Sequence, residues 1–131
     1  MMRAHSNAEL ARECLRLEGF ECPSAPTIPT HDLATLWPRL LREEVGELES
    51  AFEANDIVAV ADALADILYV AYQAAANCGL PVDDVFAEVH RSNLTKVGPD
   101  GNVSYRPDGK VMKPAHFSPP DIASVLARRV D

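Results

Sequence analysis

Eight carboxylates fall between Glu43 and Asp66, and no lysine or arginine lies between Arg42 and Arg91 to balance them. Their placement matters more than their number. On a helix at 100° per residue, Trp37, Leu40, Leu41 and Leu48 define an apolar arc. Glu44 falls in the middle of that arc, and Glu47 falls on its flank between Leu36 and Leu40. Glu43 sits at the arc's edge, while Glu49 and Glu53 point away as ordinary solvated acids. The next helix repeats the anomaly. Asp62 and Asp66 interrupt an apolar run four residues apart, so they share a face where like charges repel. An unpaired buried carboxylate is costly and must be protonated, paired or bound to a metal.

Folding the two helices into a hairpin brings these acids together. A turn near Asn55 pairs residues whose numbers add to about 110, which sets Glu47 against Asp62 and Glu44 against Asp66. The two rungs would lie about 5–6 Å apart along the axis. Four hard oxygen donors with no internal counter-ion call for a hard cation, Mg²⁺ or Mn²⁺ in its place. The competing reading is an acid-lined, solvated groove. A di-iron carboxylate site would need Glu-x-x-His on the helices, and no such pair occurs. Mg²⁺ held by few carboxylates commonly receives substrate phosphates.

The elements that must position the acids are legible as helices. Ser6 and Glu9 have capping-box spacing, and Leu10, Cys14 and Leu17 follow at helical intervals, giving a first helix over 7–18 closed by Gly19. Residues 20–30 hold three prolines and read as an extended connector. The second helix covers 31–54, with Pro38 marking a later start or a kink. Gly46 inside it suggests close packing against a neighbouring helix. Asn55 and Asp56 make the turn and the next N-cap. The third helix covers 57–78, ends at Gly79, and is apolar nearly all round, which predicts a central, buried position. A membrane span is the poorer reading, because each Asp at a membrane helix centre costs about 2.5–3.5 kcal/mol. Pro81 opens a fourth helix with the stripe Val82, Val85, Phe86 and Val89. Two Pro-Asp-Gly turns follow at 99–101 and 107–109, fitting a small hairpin or structured loop. Ser118-Pro119-Pro120-Asp121 then starts a short terminal helix.

Residues 91–113 carry a net charge of +3 from Arg91, Lys96, Arg106, Lys110 and Lys113 against Asp100 and Asp108. Asn93 continues the apolar stripe of the fourth helix, and Lys96 lies three residues on, so both are expected on its core side. This basic segment is a candidate for closing over an anionic ligand, against the plainer reading of a solvated loop. The 131 residues fit one domain spanning 1–131. With 47% apolar residues and a net charge of −8, the chain reads as globular and lacks the positive charge of a non-specific nucleic-acid binder. Cys14, Cys22 and Cys78 show no zinc spacing and read as reduced thiols of a cytoplasmic protein, and the N-terminus has no apolar signal core. No GxSxG, Walker loop, HExxH or dinucleotide fingerprint occurs.

Together these motifs resemble the all-α nucleoside triphosphate pyrophosphohydrolases. Glu43-Glu44-Val45-Gly46-Glu47 is similar to that superfamily's EExxE motif. Ala61 to Tyr69 resembles its second acidic helix, with Asp62-x-x-x-Asp66 standing where the family has ExxD. The run Glu88 to Lys96, the Pro-Asp-Gly loops and Lys113-Pro114 look like the MazG-like, phosphoribosyl-ATP pyrophosphohydrolase-like branch. The resemblance covers roughly residues 30–122. It implies an all-α four-helix bundle built from helical hairpins, with a C-terminal loop or short hairpin. It also implies Mg²⁺-dependent cleavage of a nucleoside triphosphate between the α and β phosphates. Glu44, Glu47, Asp62 and Asp66 would bind metal, and Glu43 would activate water. Asn93, Lys96, Arg91, Arg106, Lys110 and Lys113 would face the substrate. A lone pair of hairpins leaves apolar surface uncovered, so a homodimer or homotetramer is expected. Two alternatives remain at this point: a non-catalytic nucleotide-binding module, and a pyrophosphohydrolase of a non-standard diphosphate.

Overall fold

The computed structural model describes residues 5–128 and is all-helical, with no strand among the described residues. The helices are α1 (Asn7–Leu17), α2 (His31–Glu53), α3 (Ile57–Asn77), α4 (Val82–Leu94) and α5 (Ile122–Ala127). The chain divides into two compact units, Met1–Val82 and Asp83–Asp131.

In the first unit α3 packs against both α1 and α2. The start of α1 is fixed by a complete capping box: Glu9 N donates to Ser6 Oγ, and Ser6 N donates to Glu9 Oε2. Three residues, 54–56, turn the chain between α2 and α3. Asn55 takes a left-handed φ of 53°, which Asn tolerates better than most residues. Asp56 then caps α3 by accepting from the backbone of Val58 and Ala59. The tight turn makes α2 and α3 the antiparallel hairpin that the acid register requires. A small core of Leu15, Trp37 and Ala76 joins all three helices, with Phe20, Cys22, Leu40, Val70 and Ala74 packed on it. Trp37 Nε1 donates to Asn77 Oδ1 at 3.0 Å, and Asn77 Nδ2 donates to Glu21 O, so these two buried side chains are satisfied.

Three expectations change here. Helix α2 does not start at Pro38; it runs from a Thr30 N-cap through the proline. Gly46 does not sit in close packing, since a Cβ built on it meets nothing within 4 Å. Helix α3 is not buried all round. Ile57 and Val58 are each 76% exposed, and Leu64 and Leu68 are about half exposed. Within the first unit, the helices packed on α3 are α1 and α2, and two helices cover only part of its circumference. By length and composition alone α3 is apolar enough to cross a membrane.

In the second unit, Glu88 on α4 organises the start of α5. Arg91 donates to both Glu88 oxygens, and Asp121 N donates to Glu88 Oε1 at 2.9 Å. These bonds, led by Arg91, pull the Glu88 carboxyl down to about 2. Ser92 is buried and donates to Ser118 O. The segment over 103–113 forms a structured loop rather than a full hairpin, held by one antiparallel bridge between Tyr105 and Val111. His116 bonds Val97 O through its ring nitrogen.

Candidate metal centre

Glu44, Glu47 and Asp66 come together across the α2–α3 hairpin. One carboxylate oxygen from each lies within 4.8 Å of the others. Helical spacing does most of this work. Glu44 and Glu47 are three apart on α2, so they share a face, and the short turn at 54–56 sets Asp66 opposite. Glu44 and Asp66 are half-buried and Glu47 is exposed, so the cluster is anchored inside and open on one side.

Glu44 occupies the least comfortable position. Its Oε2 is sealed from solvent and has no hydrogen-bond partner. Burial raises its pKa above the ordinary carboxylate value, and the charges of Glu47, Asp66 and Asp62, with a side-chain hydrogen bond to Glu47, raise it further. Among the described residues no base forms an ion pair with any of the three. An orphaned buried oxygen beside two further carboxylates is a donor set that fits a hard divalent cation. Bound there, the cation would supply the charge that the chain itself withholds.

Asp62 stands apart from this group. It is exposed, and it acts on Glu44 through its charge rather than as a member of the cluster. Glu44 meets Asp66 as the hairpin register pairs them, and Glu47 reaches the same two residues, while Asp62 lies outside the three-residue group. Glu43 is exposed at the edge of the cluster's helix.

Sequence reading overlooked a polar continuation of the same α3 stripe. Tyr69 and Gln73 follow Asp66 at i+3 and i+7, and that spacing was the available signal. Gln73 Nε2 donates to Glu18 Oε1 at 3.0 Å, and Cys14 Sγ donates to the same oxygen. Hydrogen bonding with Cys14, then burial and the nearby acids, raise the Tyr69 phenol. The end of α1 therefore extends the acidic face of the hairpin.

The basic residues are largely engaged within their own unit. Arg91 is bound to Glu88 and also donates to Ser118 Oγ and Pro119 O. Arg106 pairs with Asp108 at 2.6 Å, and Lys113 Nζ lies 5.1 Å from the centre of the Phe117 ring. Lys110 is exposed and Lys96 is half-buried just past α4. Asn93 does not turn to the core side as its stripe implied. It is exposed, because Ser92 takes the inward position through its bond to Ser118 O.

An all-helical chain with an EExxE-like helix paired to a second acidic helix defines a class of phosphoanhydride hydrolases. Comparison with known families makes the assignment specific. Residues 18–93, more than half of the chain, match phosphoribosyl-ATP pyrophosphohydrolase, and the chain belongs to that family. The family sits within the MazG-like all-α nucleoside triphosphate pyrophosphohydrolases. The chain is thus a pyrophosphohydrolase acting on a nucleotide-like substrate. The matched segment contains the whole acidic cluster and Glu18, the C-cap of α1. Comparison with curated proteins gives no match.

Proposed function

We propose that this protein hydrolyses nucleoside triphosphates between the α and β phosphates, releasing a nucleoside monophosphate and pyrophosphate, in nucleotide-pool house-cleaning in the cytoplasm. The observation that carries the reading is the orphaned, buried Glu44 oxygen held beside Glu47 and Asp66. Three unpaired carboxylates would repel a triphosphate unless a cation stood between them. Glu44, Glu47 and Asp66 would hold Mg²⁺, or Mn²⁺ in its place, with Asp62 adding negative charge from outside the group. Such a cation offsets phosphate charge as it develops and polarises the phosphoryl oxygens.

The chain's own residues do the rest. Glu44 is half-buried and would fix the inner end of the cluster, and Glu47 is exposed and would face the ligand. Glu43 adjoins them in the exposed position suited to taking a proton from the attacking water. Of the basic residues, Lys96, Lys110 and Lys113 remain candidates for phosphate contact with Asn93, whereas the guanidiniums of Arg91 and Arg106 would have to leave Glu88 and Asp108. The exposed apolar face of α3 supports assembly as a homodimer or homotetramer. The family name supports a second substrate, phosphoribosyl-ATP itself.

The test is pyrophosphate release from a panel of ribo- and deoxyribonucleoside triphosphates and phosphoribosyl-ATP, with Mg²⁺, with Mn²⁺ and with chelator. Metal-dependent release of pyrophosphate and monophosphate is expected. Glu47→Gln is expected to lower turnover by roughly 100-fold or more with the helical signal unchanged. Full activity in that variant, or turnover indifferent to chelator, would remove the proposed site.

A further inference from the structure

The polar stripe of α3 continues past the acidic cluster. Tyr69 and Gln73 follow Asp66 at about 4.5 and 10.5 Å along the helix axis, and on the wheel they lie about 60° and 20° from it. The end of α1 meets this stripe. Gln73 Nε2 donates to Glu18 Oε1 at 3.0 Å, and Cys14 Sγ donates to the same oxygen at 3.0 Å. Tyr69 lies beside them, since hydrogen bonding with Cys14 and the charge of Glu18 both act on its phenol. Gln73 is 8% exposed, Tyr69 is 41% exposed, and Glu18 is open to solvent. Two donors fill the lone pairs of Oε1. Glu18 Oε2 has no hydrogen bond or ion pair among the described residues. The carboxylate is thus fixed through one oxygen and presents the other as an acceptor. Joining α1 to α3 does not need such a group, because Leu15 already packs with Ala76.

The two ends of the acidic cluster differ in what they can receive. Toward the α2–α3 turn stands Asp62, an exposed acid. Toward the C-terminal end of α3 stand the Tyr69 ring, the Gln73 amide and Glu18. Phosphates held at Glu44, Glu47 and Asp66 would leave the uncharged nucleoside to lie along the second direction, its sugar beside Tyr69 and its base edge beside Glu18.

We propose that Glu18 is a specificity-determining residue whose Oε2 accepts a hydrogen bond from the exocyclic amino group of the substrate base, selecting adenine or cytosine. The inference rests on the nucleoside triphosphate reading above. Adenine and cytosine carry an amino group at the position of the pairing edge where guanine, hypoxanthine and uracil carry a carbonyl oxygen. A carbonyl there meets Oε2 acceptor to acceptor, forms no bond, and strips the carboxylate of water without replacing it. Cys14 and Gln73 set which oxygen is free.

The test compares ATP with ITP and CTP with UTP, two pairs that exchange this amino group for a carbonyl, by initial rates of pyrophosphate release with Mg²⁺. The natural chain should favour ATP over ITP and CTP over UTP by roughly tenfold or more in kcat/KM. Glu18→Gln turns the acceptor into a donor. Its amide oxygen must take the place of Oε1 to keep the bonds from Cys14 and Gln73, which puts the amide nitrogen in the place of Oε2. In this variant both ratios should fall to near one or reverse. A packing role alone would lower all four rates together and leave the ratios unchanged. Equal kcat/KM within each pair in the natural chain would overturn the proposal and leave the hydrolase reading intact, and this holds even if the variant folds poorly. So would a folded Glu18→Gln chain that keeps the natural ratios. No release from any of the four would overturn the nucleoside triphosphate reading and this inference with it.

Discussion

Glu44 carries the tension of the site in one side chain. Its carboxylate is half-buried, one oxygen has no partner, and three acids surround it. In metal-free protein its ionisation therefore opposes folding. The sign follows from the raised pKa. The penalty is absent below the ordinary carboxylate value of 4.5 and grows as pH rises through the raised folded value. Glu44→Gln keeps the shape and removes the charge, so in chelator the variant should melt above the natural chain, by a margin that widens from acid to neutral pH. Turnover should fall with metal affinity. Melting curves that shift in parallel across pH would show that Glu44 is not the strained group. This residue was legible in the sequence because it fell at the centre of an apolar arc. Adding residue numbers across a hairpin ignores helix rotation and side-chain reach, so it did not show that Glu47 also reaches Asp66. The partners of Arg91 were only partly visible: its bond to Glu88 has helical spacing, but Ser118 and Pro119 lie some 27 residues on.

The helices themselves were the most readable level, because their signals are local. Ser6, Asp56 and the residues before α5 cap where capping chemistry predicts, and apolar spacing sets the bodies between. Helix ends that depend on distant chain are less readable, and α3 shows both kinds. Gly79 ends it with a φ of +65°, which its position after the helix suggested. Sequence gives no sign, however, that the connector carbonyls of Pro23 and Ala25 lie against it. Gly79→Ala must carry a side chain at positive φ and also displace backbone. The two costs together should exceed about 1 kcal/mol and lower the melting midpoint by several degrees. Gly19 is the internal control, with φ +90° and open space around it. Gly19→Ala bears the strain alone and should cost less. Equal losses at the two positions would mean that the connector yields freely and does not grip the end of α3.

The molecule as a whole exposes apolar surface that one chain does not cover. Ile57, Ala61, Leu64 and Leu68 recur at helical intervals on α3, and all four are exposed. On the helical wheel this stripe is turned well away from Asp62 and Asp66, so covering it need not obstruct the acidic cluster. On α2, Val45 and Phe52 are exposed at the same spacing. Soluble monomers rarely leave such stripes open, and a second copy presenting the same stripe is the self-complementary solution of a two-fold dimer. The acids favour that occupant over a lipid bilayer, since Asp62 and Asp66 lie within α3 and each would be costly at a membrane centre. Sedimentation velocity of the natural chain should show a dimer or a larger closed assembly. Leu64→Glu places charge in the middle of the stripe without touching the acidic cluster, so it should shift the chain toward monomer while the helical content holds. A natural chain that stays monomeric at high concentration would mean that this face meets something other than itself. A Leu64→Glu chain that still assembles would move the interface to another face.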